Sequence, residues 1–177
     1  MPSGELDRLL DPAYLGELEA RPIEEIRAMR AECQQVEAGL SYLRRLVQGR
    51  LDIVAAELSR RIEGLEPSDP SSLVEQLPEI LGHNVQAPGL GRLPSNLEPP
   101  EDPELTTELD GILHAQSLTG LGHIDDDELR LLVDRLTDYE HTVSSRRRAL
   151  FDHIDALQAE LTRRYKTGEA SVESLLP

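Results

Sequence analysis

The sequence predicts an all-α fold: two long helices in an antiparallel coiled-coil hairpin, with short accessory helices at the N-terminus and in the long connection. Aromatic residues make up only 3% of the 177 residues, and Trp is absent, which is poor material for a compact globular core. No alternating run of β-branched and aromatic residues indicates a strand. Two stretches of about forty residues instead carry apolar residues at coiled-coil spacing.

The first long helix is expected to open at Pro22, since proline favours a first helical turn, and to end at Gly64 and Pro67. Its apolar residues recur at steps of three and four, with one extra-long step between Val47 and Leu51. About forty residues of helix would span about 60 Å. The predicted seam consists of Ile26, Met29, Cys33, Val36, Leu40, Leu43, Val47, Leu51, Val54, Leu58 and Ile62.

The second long helix repeats the first at an offset of 103 residues. Ten of the eleven seam positions remain apolar or aromatic, and the flanking segments 25–27 and 56–61 match 128–130 and 159–164. This pattern indicates an internal duplication. The second seam consists of Leu129, Leu132, Leu136, Tyr139, Val143, Arg146 (the exception), Leu150, Ile154, Leu157, Leu161 and Tyr165.

A helix with one apolar seam must bury it, and the natural partner is its own repeat. The connection of about sixty residues permits parallel or antiparallel pairing. Related repeats pair most simply about a pseudo-two-fold axis, as an antiparallel hairpin does. We therefore predict antiparallel pairing.

The chain divides into five expected segments. Short helices are expected in the first and third, the latter at 71–81 and 103–117, and acidic residues at 125–128 suit the start of the second long helix. The segments are an acidic helical arm (1–21), the first long helix (22–63), an acidic Pro-rich connection (64–124), the second long helix (125–166) and a flexible tail (167–177).

The charge distribution argues against direct binding of nucleic acid. The formal net charge is −16, and the acid lies mostly outside the long helices: residues 1–25 carry seven acids and two bases, and residues 64–124 carry ten and one. Nonspecific nucleic-acid binders need the opposite sign. An acidic shell suits a basic protein partner, although solubility alone also explains it.

Cysteine content and hydropathy indicate a cytoplasmic protein with no membrane association. The single Cys33 cannot form an internal disulfide, and no Cys/His cluster suggests a metal site. The N-terminus is acidic and lacks the apolar core of a signal peptide. No apolar run is long enough for a transmembrane helix.

A polar stripe accompanies each seam and is the candidate functional site. Each stripe residue follows a seam residue by one, so the stripe lies at the edge of the helix–helix interface. Edge charges often only fix coiled-coil pairing, but the repetition, together with Ser and Gln, favours a binding site. The first copy is Glu37, Ser41, Arg44, Gln48 and Asp52, and the second is Glu140, Ser144, Arg147, Phe151 and Asp155.

The chemistry of this stripe suits guanine nucleotides. Arg44 and Arg147 can bind phosphate, contact guanine O6 and N7, or stack on a base. The carboxylates can accept hydrogen bonds from guanine N1–H and N2–H₂. Two equal stripes suit a ligand that is itself two-fold, with two guanines joined by phosphates.

Other polar residues have less specific interpretations. Glu37 and Glu140 could pair instead with Arg30 or Arg45. A surface position is expected for His153. The remaining polar residues are arginines near the stripes that could screen ligand phosphates (Arg45, Arg50, Arg146, Arg148), helix-end arginines that suit the dipole (Arg60, Arg61, Arg163, Arg164), and histidines without metal-ligand spacing (His83, His114, His123, His141).

The pattern E-x3-S-x2-R-x3-Q-x3-D, present twice, resembles the signature of the RsiG family, cyclic-di-GMP-dependent anti-sigma factors of the sporulation sigma factor WhiG. The resemblance covers both long helices, and Phe151 departs from it where Gln is expected. It implies that the stripes bind two intercalated cyclic-di-GMP molecules. It also implies that the loaded protein holds a WhiG-like sigma factor in a 1:1 heterodimer, away from RNA polymerase, until the ligand concentration falls.

Two other classes of function have different support in the sequence. A coiled-coil adaptor without a small ligand would explain the helices and edge charges. An enzyme is disfavoured, because the sequence shows no nucleophile–base pair, Gly-rich phosphate loop or metal cluster.

Overall fold

The computed structural model describes residues 4–66 and 104–168, and within these ranges it is all-α with no strand. The predicted fold class is confirmed. The expected helix at 71–81 and the tail beyond Gly168 lie outside the described residues. The α-helices are α1 (Gly4–Leu10), α2 (Ile23–Ile62), α3 (Glu104–Ile112) and α4 (Asp126–Thr167), and 3-10 turns cover Pro12–Leu15, Leu18–Ala20 and Ala115–His123.

The two long helices pair in the antiparallel sense. Arg27, near the start of α2, contacts Tyr165 near the end of α4. At the other end of the hairpin, Arg61 donates to Asp126 across 2.9 Å. A large apolar core runs along this pair and includes residues of both short helices.

The ends of the long helices follow from local chemistry. Asp125 caps α4 by accepting from the Glu128 backbone N–H at 2.8 Å. Pro22 precedes α2 as its N-cap rather than forming its first turn. Gly64 ends α2 in the left-handed region (φ 76°). Its N–H bonds the Arg61 carbonyl at 2.9 Å, and the Leu65 N–H bonds the Arg60 carbonyl at 3.1 Å, as in a Schellman motif.

The seam of α2 differs from the predicted one in its second half. The buried positions continue the heptad spacing without an extra step, because Arg50 and Glu57 occupy core positions there. These two residues are 9% and 2% exposed. Leu51 and Leu58 are only half-buried, and Ile62 is 70% exposed. The predicted extra-long step is therefore wrong. In this half of α2, polar residues occupy the seam, and the apolar residues that suggested the extra step lie on the neighbouring flank.

The α4 seam agrees better with the apolar pattern. Leu129, Leu136, Val143 and Leu150 are fully buried. Arg146, the exception in the sequence, is half-buried and lies 3.9 Å from Glu108 of α3. The core thus accommodates a polar residue where a short helix supplies a counter-charge.

The duplication extends beyond the long helices. Residues 5–10 (ELDRLL) in α1 match residues 108–113 (ELDGIL) of α3 and the position after it, at the same offset of 103. The 3-10 turns that follow are equivalent as well, and we call residues 12–21 and 115–124 the lead-in segments. Each half of the molecule is thus one unit: short helix, lead-in segment, long helix.

The short helices bury apolar side chains against the hairpin. Leu6 and Leu9 of α1 are 6% and 0% exposed, and the equivalent Leu109 of α3 is 0% exposed. Both short helices contact both long helices: α1 packs against α4 and its Arg8 pairs with Glu32 of α2, and α3 contacts α2 and α4. Elements read from the sequence as an arm and part of a connection therefore belong to the same core.

Candidate ligand-binding face

The stripe residues form two reciprocal clusters across the helix pair. In the first cluster, Arg44 of α2 donates from Nε to Glu140 Oε1 at 2.8 Å and to Ser144 Oγ at 2.9 Å, both on α4. Ser144 also donates to Glu140 at 2.9 Å. Gln48 completes the cluster by donating to Glu140 at 3.2 Å. One carboxylate thus accepts three side-chain hydrogen bonds.

The second cluster is the two-fold counterpart of the first. Arg147 donates from Nε to Glu37 Oε1 at 2.8 Å and to Ser41 Oγ at 2.7 Å. Ser41 donates to Glu37 at 2.6 Å. Phe151 stands where the first cluster has Gln48, and the Arg147 guanidinium lies over its ring, 4.9 Å from the centroid. An aromatic contact thus replaces the amide hydrogen bond.

Both clusters are partly open to solvent. The side chains of Arg44 and Arg147 are 35% and 30% exposed, whereas Glu140 and Glu37 are 14% and 17% exposed. Burial alone would raise the pKa of Glu140, but hydrogen bonds from Ser144 and Arg44 outweigh it and hold this pKa below its ordinary value. The carboxylate is therefore ionised at neutral pH, where it accepts the three hydrogen bonds of the first cluster.

The guanidinium groups of Arg44 and Arg147 have hydrogen-bond donors that the clusters do not use. Each motif arginine uses Nε for its hydrogen bonds, and no hydrogen bond from a terminal nitrogen of Arg44 or Arg147 to another described residue is found. The terminal nitrogens of a guanidinium form a planar fork whose geometry matches a phosphate or a carboxylate. The arginines are therefore held in position with that fork available.

The structure does not bring the motif aspartates into the clusters. Asp52 and Asp155 follow the motif arginines by eight residues, about 12 Å along each helix. Asp52 is half-buried and Asp155 is exposed. The two aspartates therefore lie toward opposite ends of the face, with the clusters between them.

The pairing suggested for the motif glutamates is wrong. Their partners are Arg147 and Arg44 across the interface, rather than Arg30 or Arg45. Arg30 contacts Gln158, and Arg45 is exposed. Antiparallel register, which sequence spacing alone does not give, decides these partners.

Compensation of the helix dipole is an incomplete account of Arg61 and Arg164, which are equivalent at the offset of 103. The Arg61 side chain is 9% exposed and pairs with the fully buried Glu57 at 2.8 Å. It also donates to the carbonyls of Leu121 (2.7 Å) and Ile124 (2.6 Å) in the lead-in segment of α4, and to Asp126. Arg61 therefore ties the end of α2 to the start of α4.

Arg164 makes the equivalent contacts at the other end of the hairpin. It pairs with Glu160 at 2.7 Å and is 9% exposed. It donates to the carbonyls of Leu18 (2.6 Å), Arg21 (2.7 Å) and Glu19 (3.2 Å). The repeated i, i+4 Glu–Arg pair at an offset of 103 was the sequence signal for this role.

Arg50 and His153 occupy equivalent positions but act differently. Arg50 donates to Asp110 at 2.7 Å and to the Leu113 carbonyl, and so anchors α3. His153 is half-buried and stacks on Tyr14, with ring centroids 6.1 Å apart, so the expected surface position is wrong. Its Nδ1 is buried without a hydrogen-bond partner.

The short helices leave the clusters uncovered. Arg8 of α1 and Tyr14 contact Glu32, about 140° around α2 from Glu37. Among the described residues, neither short helix forms a hydrogen bond or ion pair with the six Glu, Ser and Arg side chains of the clusters. We call the open side that carries both stripes the motif face.

This architecture defines a duplicated two-helix coiled-coil protein with a polar face. The model of the RsiG-like family matches residues 12–81 and 115–177, and the second match begins 103 residues after the first. The chain belongs to the RsiG-like family. None of the curated proteins matches the sequence.

Family membership indicates an anti-sigma role, with a sigma factor as the general partner, and the family is regulatory rather than enzymatic. In the described part of the chain, no group of His, Cys, Asp and Glu side chains could hold a metal ion. No helix in the same ranges combines the length and hydrophobicity needed to cross a membrane.

Proposed function

We propose that the chain binds cyclic-di-GMP on the motif face and, when loaded, sequesters a WhiG-like sporulation sigma factor and so blocks transcription initiation. The observation that carries this proposal is the pair of reciprocal clusters. Each cluster combines an arginine from one repeat with a glutamate and a serine from the other. A two-fold surface of this kind suits a two-fold ligand.

The clusters can exchange their cross-helix bonds for bonds to guanine. The terminal nitrogens of Arg44 and Arg147 suit guanine O6 and N7 or a phosphate. Glu140 and Glu37 can accept from guanine N1–H and N2–H₂, so neither carboxylate need be left buried without a donor. Adenine lacks the O6 acceptor, which favours cyclic-di-GMP over its adenine analogue.

The length of the face supports two ligand molecules. From Glu37 to Asp52 one stripe extends about 22 Å, with the arginine near its centre and the aspartate at its end. Asp52 and Asp155 would then bind the outer guanines. Phe151 would stack in the second half, where Gln48 offers a hydrogen bond in the first.

The partner is proposed to form a 1:1 heterodimer with the loaded chain in the cytoplasm, where a sigma factor meets RNA polymerase. Acidic residues outside the long helices would face basic surfaces of the sigma factor by charge complementarity. A fall in cyclic-di-GMP would release it. A sigma-dependent transcription assay should therefore show inhibition only when both chain and ligand are present.

Replacing both motif arginines tests the site. The double substitution Arg44→Ala, Arg147→Ala should weaken binding of fluorescent cyclic-di-GMP by about a hundredfold or more, because each substitution removes a charge-assisted contact with the ligand. Fluorescence anisotropy measures the change. Arg45→Ala, Arg148→Ala is the matched control, since these exposed neighbours lie off the stripes. An equal loss in both variants would indicate general screening of phosphate charge.

A coiled-coil adaptor without a ligand is the second candidate. It is favoured by the fact that each motif arginine already pairs across the interface, as arginines that only fix register do. Circular dichroism separates the two proposals. Full helicity with lost ligand binding in the double variant supports the site, and collapse of helicity supports the adaptor.

A further inference from the structure

The motif face continues as an apolar surface at one end of the hairpin. Leu51, Leu58 and Ile62 lie on the flank of α2 that also carries Arg44, since steps of seven and four residues keep side chains on one stripe. Leu51 and Leu58 are half-buried, whereas Ile62 is 70% exposed. We call these three residues the apolar patch.

The equivalent surface at the other end is closed. Ile154 and Leu161, the counterparts of Leu51 and Leu58, are 7% and 3% exposed. Tyr165, the counterpart of Ile62, bonds to Arg27, whose guanidinium lies 5.8 Å from the centre of the Tyr165 ring. The patch is therefore open, whereas the equivalent positions at the opposite end of the hairpin are covered.

Local structure keeps the patch ordered. The Schellman motif at Gly64 fixes the backbone directly after Ile62, the last residue of α2. Arg60 donates from Nε to the Glu66 carbonyl at 2.6 Å and holds the following turn. The exposed Ile62 side chain is therefore presented on a defined backbone.

Negative charge surrounds the patch. Glu63, directly after Ile62, is exposed, and Asp126 on the facing helix is 53% exposed and pairs with Arg61. Among the nearby cations, Arg61 is buried in its ion pairs and Arg130 pairs with Asp127 at 2.7 Å. Arg60 is half-buried and lies about 200° around α2 from Ile62. An apolar centre with an acidic border is complementary to an apolar stripe flanked by Lys or Arg.

We propose that the apolar patch is a docking site for a basic amphipathic helix of the sigma factor, beside the ligand on the motif face. This inference rests on the proposed function for the identity of its partner. Three side chains are too few for a stable interface by themselves, so the patch forms the apolar centre of a larger contact. The sigma factor would then touch one end of the pseudo-symmetric hairpin and not the other.

Substitution of Ile62 tests the proposal with an internal control. Ile62→Ser should weaken binding of the purified WhiG-like sigma factor, in the presence of cyclic-di-GMP, by about tenfold. Ile62→Lys should weaken it further, because it places positive charge against a basic partner. Leu131 is the matched control: it is 55% exposed, but lies about 180° around α4 from Glu140. Leu131→Ser and Leu131→Lys should each change binding less than twofold.

The outcomes separate this inference from the proposed function. Failure of the wild-type chain to bind the sigma factor overturns both. If the wild type binds but the Ile62 and Leu131 variants lose affinity equally, or neither loses any, the docking site is overturned and the proposed function stands. Cyclic-di-GMP titration should be unchanged in all four variants, since Ile62 lies about 15 Å along the helix beyond Asp52.

Discussion

The two halves of the molecule, residues 4–66 and 107–168, share one scaffold and one pair of clusters but differ in what surrounds them. The Glu–Ser–Arg triplets and the Glu–Arg pairs that fix the lead-in segments are equivalent at an offset of 103. Antiparallel pairing makes each half supply part of the other's cluster. Loss of one triplet side chain therefore removes a contact of both repeats.

Three equivalent positions show these differences in surroundings. Gln48 corresponds to Phe151, which exchanges a hydrogen bond for an aromatic contact. Arg50 anchors α3, whereas its counterpart His153 leaves Nδ1 without a hydrogen bond. At the helix ends, Ile62 is exposed where Tyr165 is covered. The two repeats therefore share a pseudo-two-fold scaffold, but the side chains around it differ between them.

The largest expected effect concerns the arginines that tie the hairpin ends. Arg61→Leu should lower the free energy of unfolding by about 3–5 kcal/mol, because it removes a buried ion pair and leaves backbone carbonyls without their donor. Arg164→Leu should cost less, about 2–3 kcal/mol, since Glu160 keeps Arg163. Urea titration followed by circular dichroism measures both. A larger loss for Arg164→Leu would contradict this ranking.

The equivalent residues Arg50 and His153 should contribute unequally to stability. Arg50→Ala should destabilise the protein by about 2 kcal/mol, because it removes charge-assisted hydrogen bonds to α3. His153→Ala should change stability by about 1 kcal/mol or less, since Nδ1 makes no hydrogen bond. Hydrogen exchange should show faster opening of α3 in Arg50→Ala than of the lead-in segment at Tyr14 in His153→Ala. Equal effects would mean that the two anchors are equivalent after all.

The non-equivalent motif positions should differ in ligand affinity. Gln48→Leu should weaken cyclic-di-GMP binding by about fivefold through loss of one hydrogen bond. Phe151→Leu should weaken it less than threefold, because the apolar surface beneath Arg147 is retained. Anisotropy titrations compare them directly. A greater loss for Phe151→Leu would make the second half the dominant one.

The smallest effect is a pH dependence at one end of the hairpin. Hydrogen bonds from Arg163 and Arg164 lower the pKa of Glu160 to about 2. A carboxylate with a lower pKa in the folded state contributes stability above its unfolded pKa of about 4.3. That contribution is lost as pH falls toward 2. The difference in melting temperature between wild type and Glu160→Gln should therefore shrink from pH 6 to pH 2, and a constant difference would contradict it.

Much of the scaffold could be predicted from the sequence, because heptad spacing and an exact offset of 103 are local and repeated signals. The burial of the polar seam residues Arg50, Glu57 and Arg61 could not be predicted. A search for apolar residues at heptad spacing omits charged side chains, even where ion-pair partners allow them to be buried. Their apolar neighbours Leu51 and Ile62 were placed in the core for the same reason. Burial of a charge depends on a partner supplied by a distant segment.

The site shows the same division. The ten motif residues and their shared flank follow from spacing alone. The partner of Arg44 does not, because it depends on which residue of α4 antiparallel register places opposite. The match between residues 5–10 and 108–113 was visible in the sequence. It is only six residues long, and it lies in segments whose composition otherwise differs.

Calorimetric titration of the intact chain with cyclic-di-GMP, alone and with the sigma factor present, tests the motif face most directly. We expect saturable heat with two ligand molecules per chain, one for each cluster. A single molecule per chain would argue for one shared site. Absence of heat up to tens of micromolar ligand under both conditions would contradict ligand binding and leave the coiled-coil adaptor as the function of this hairpin.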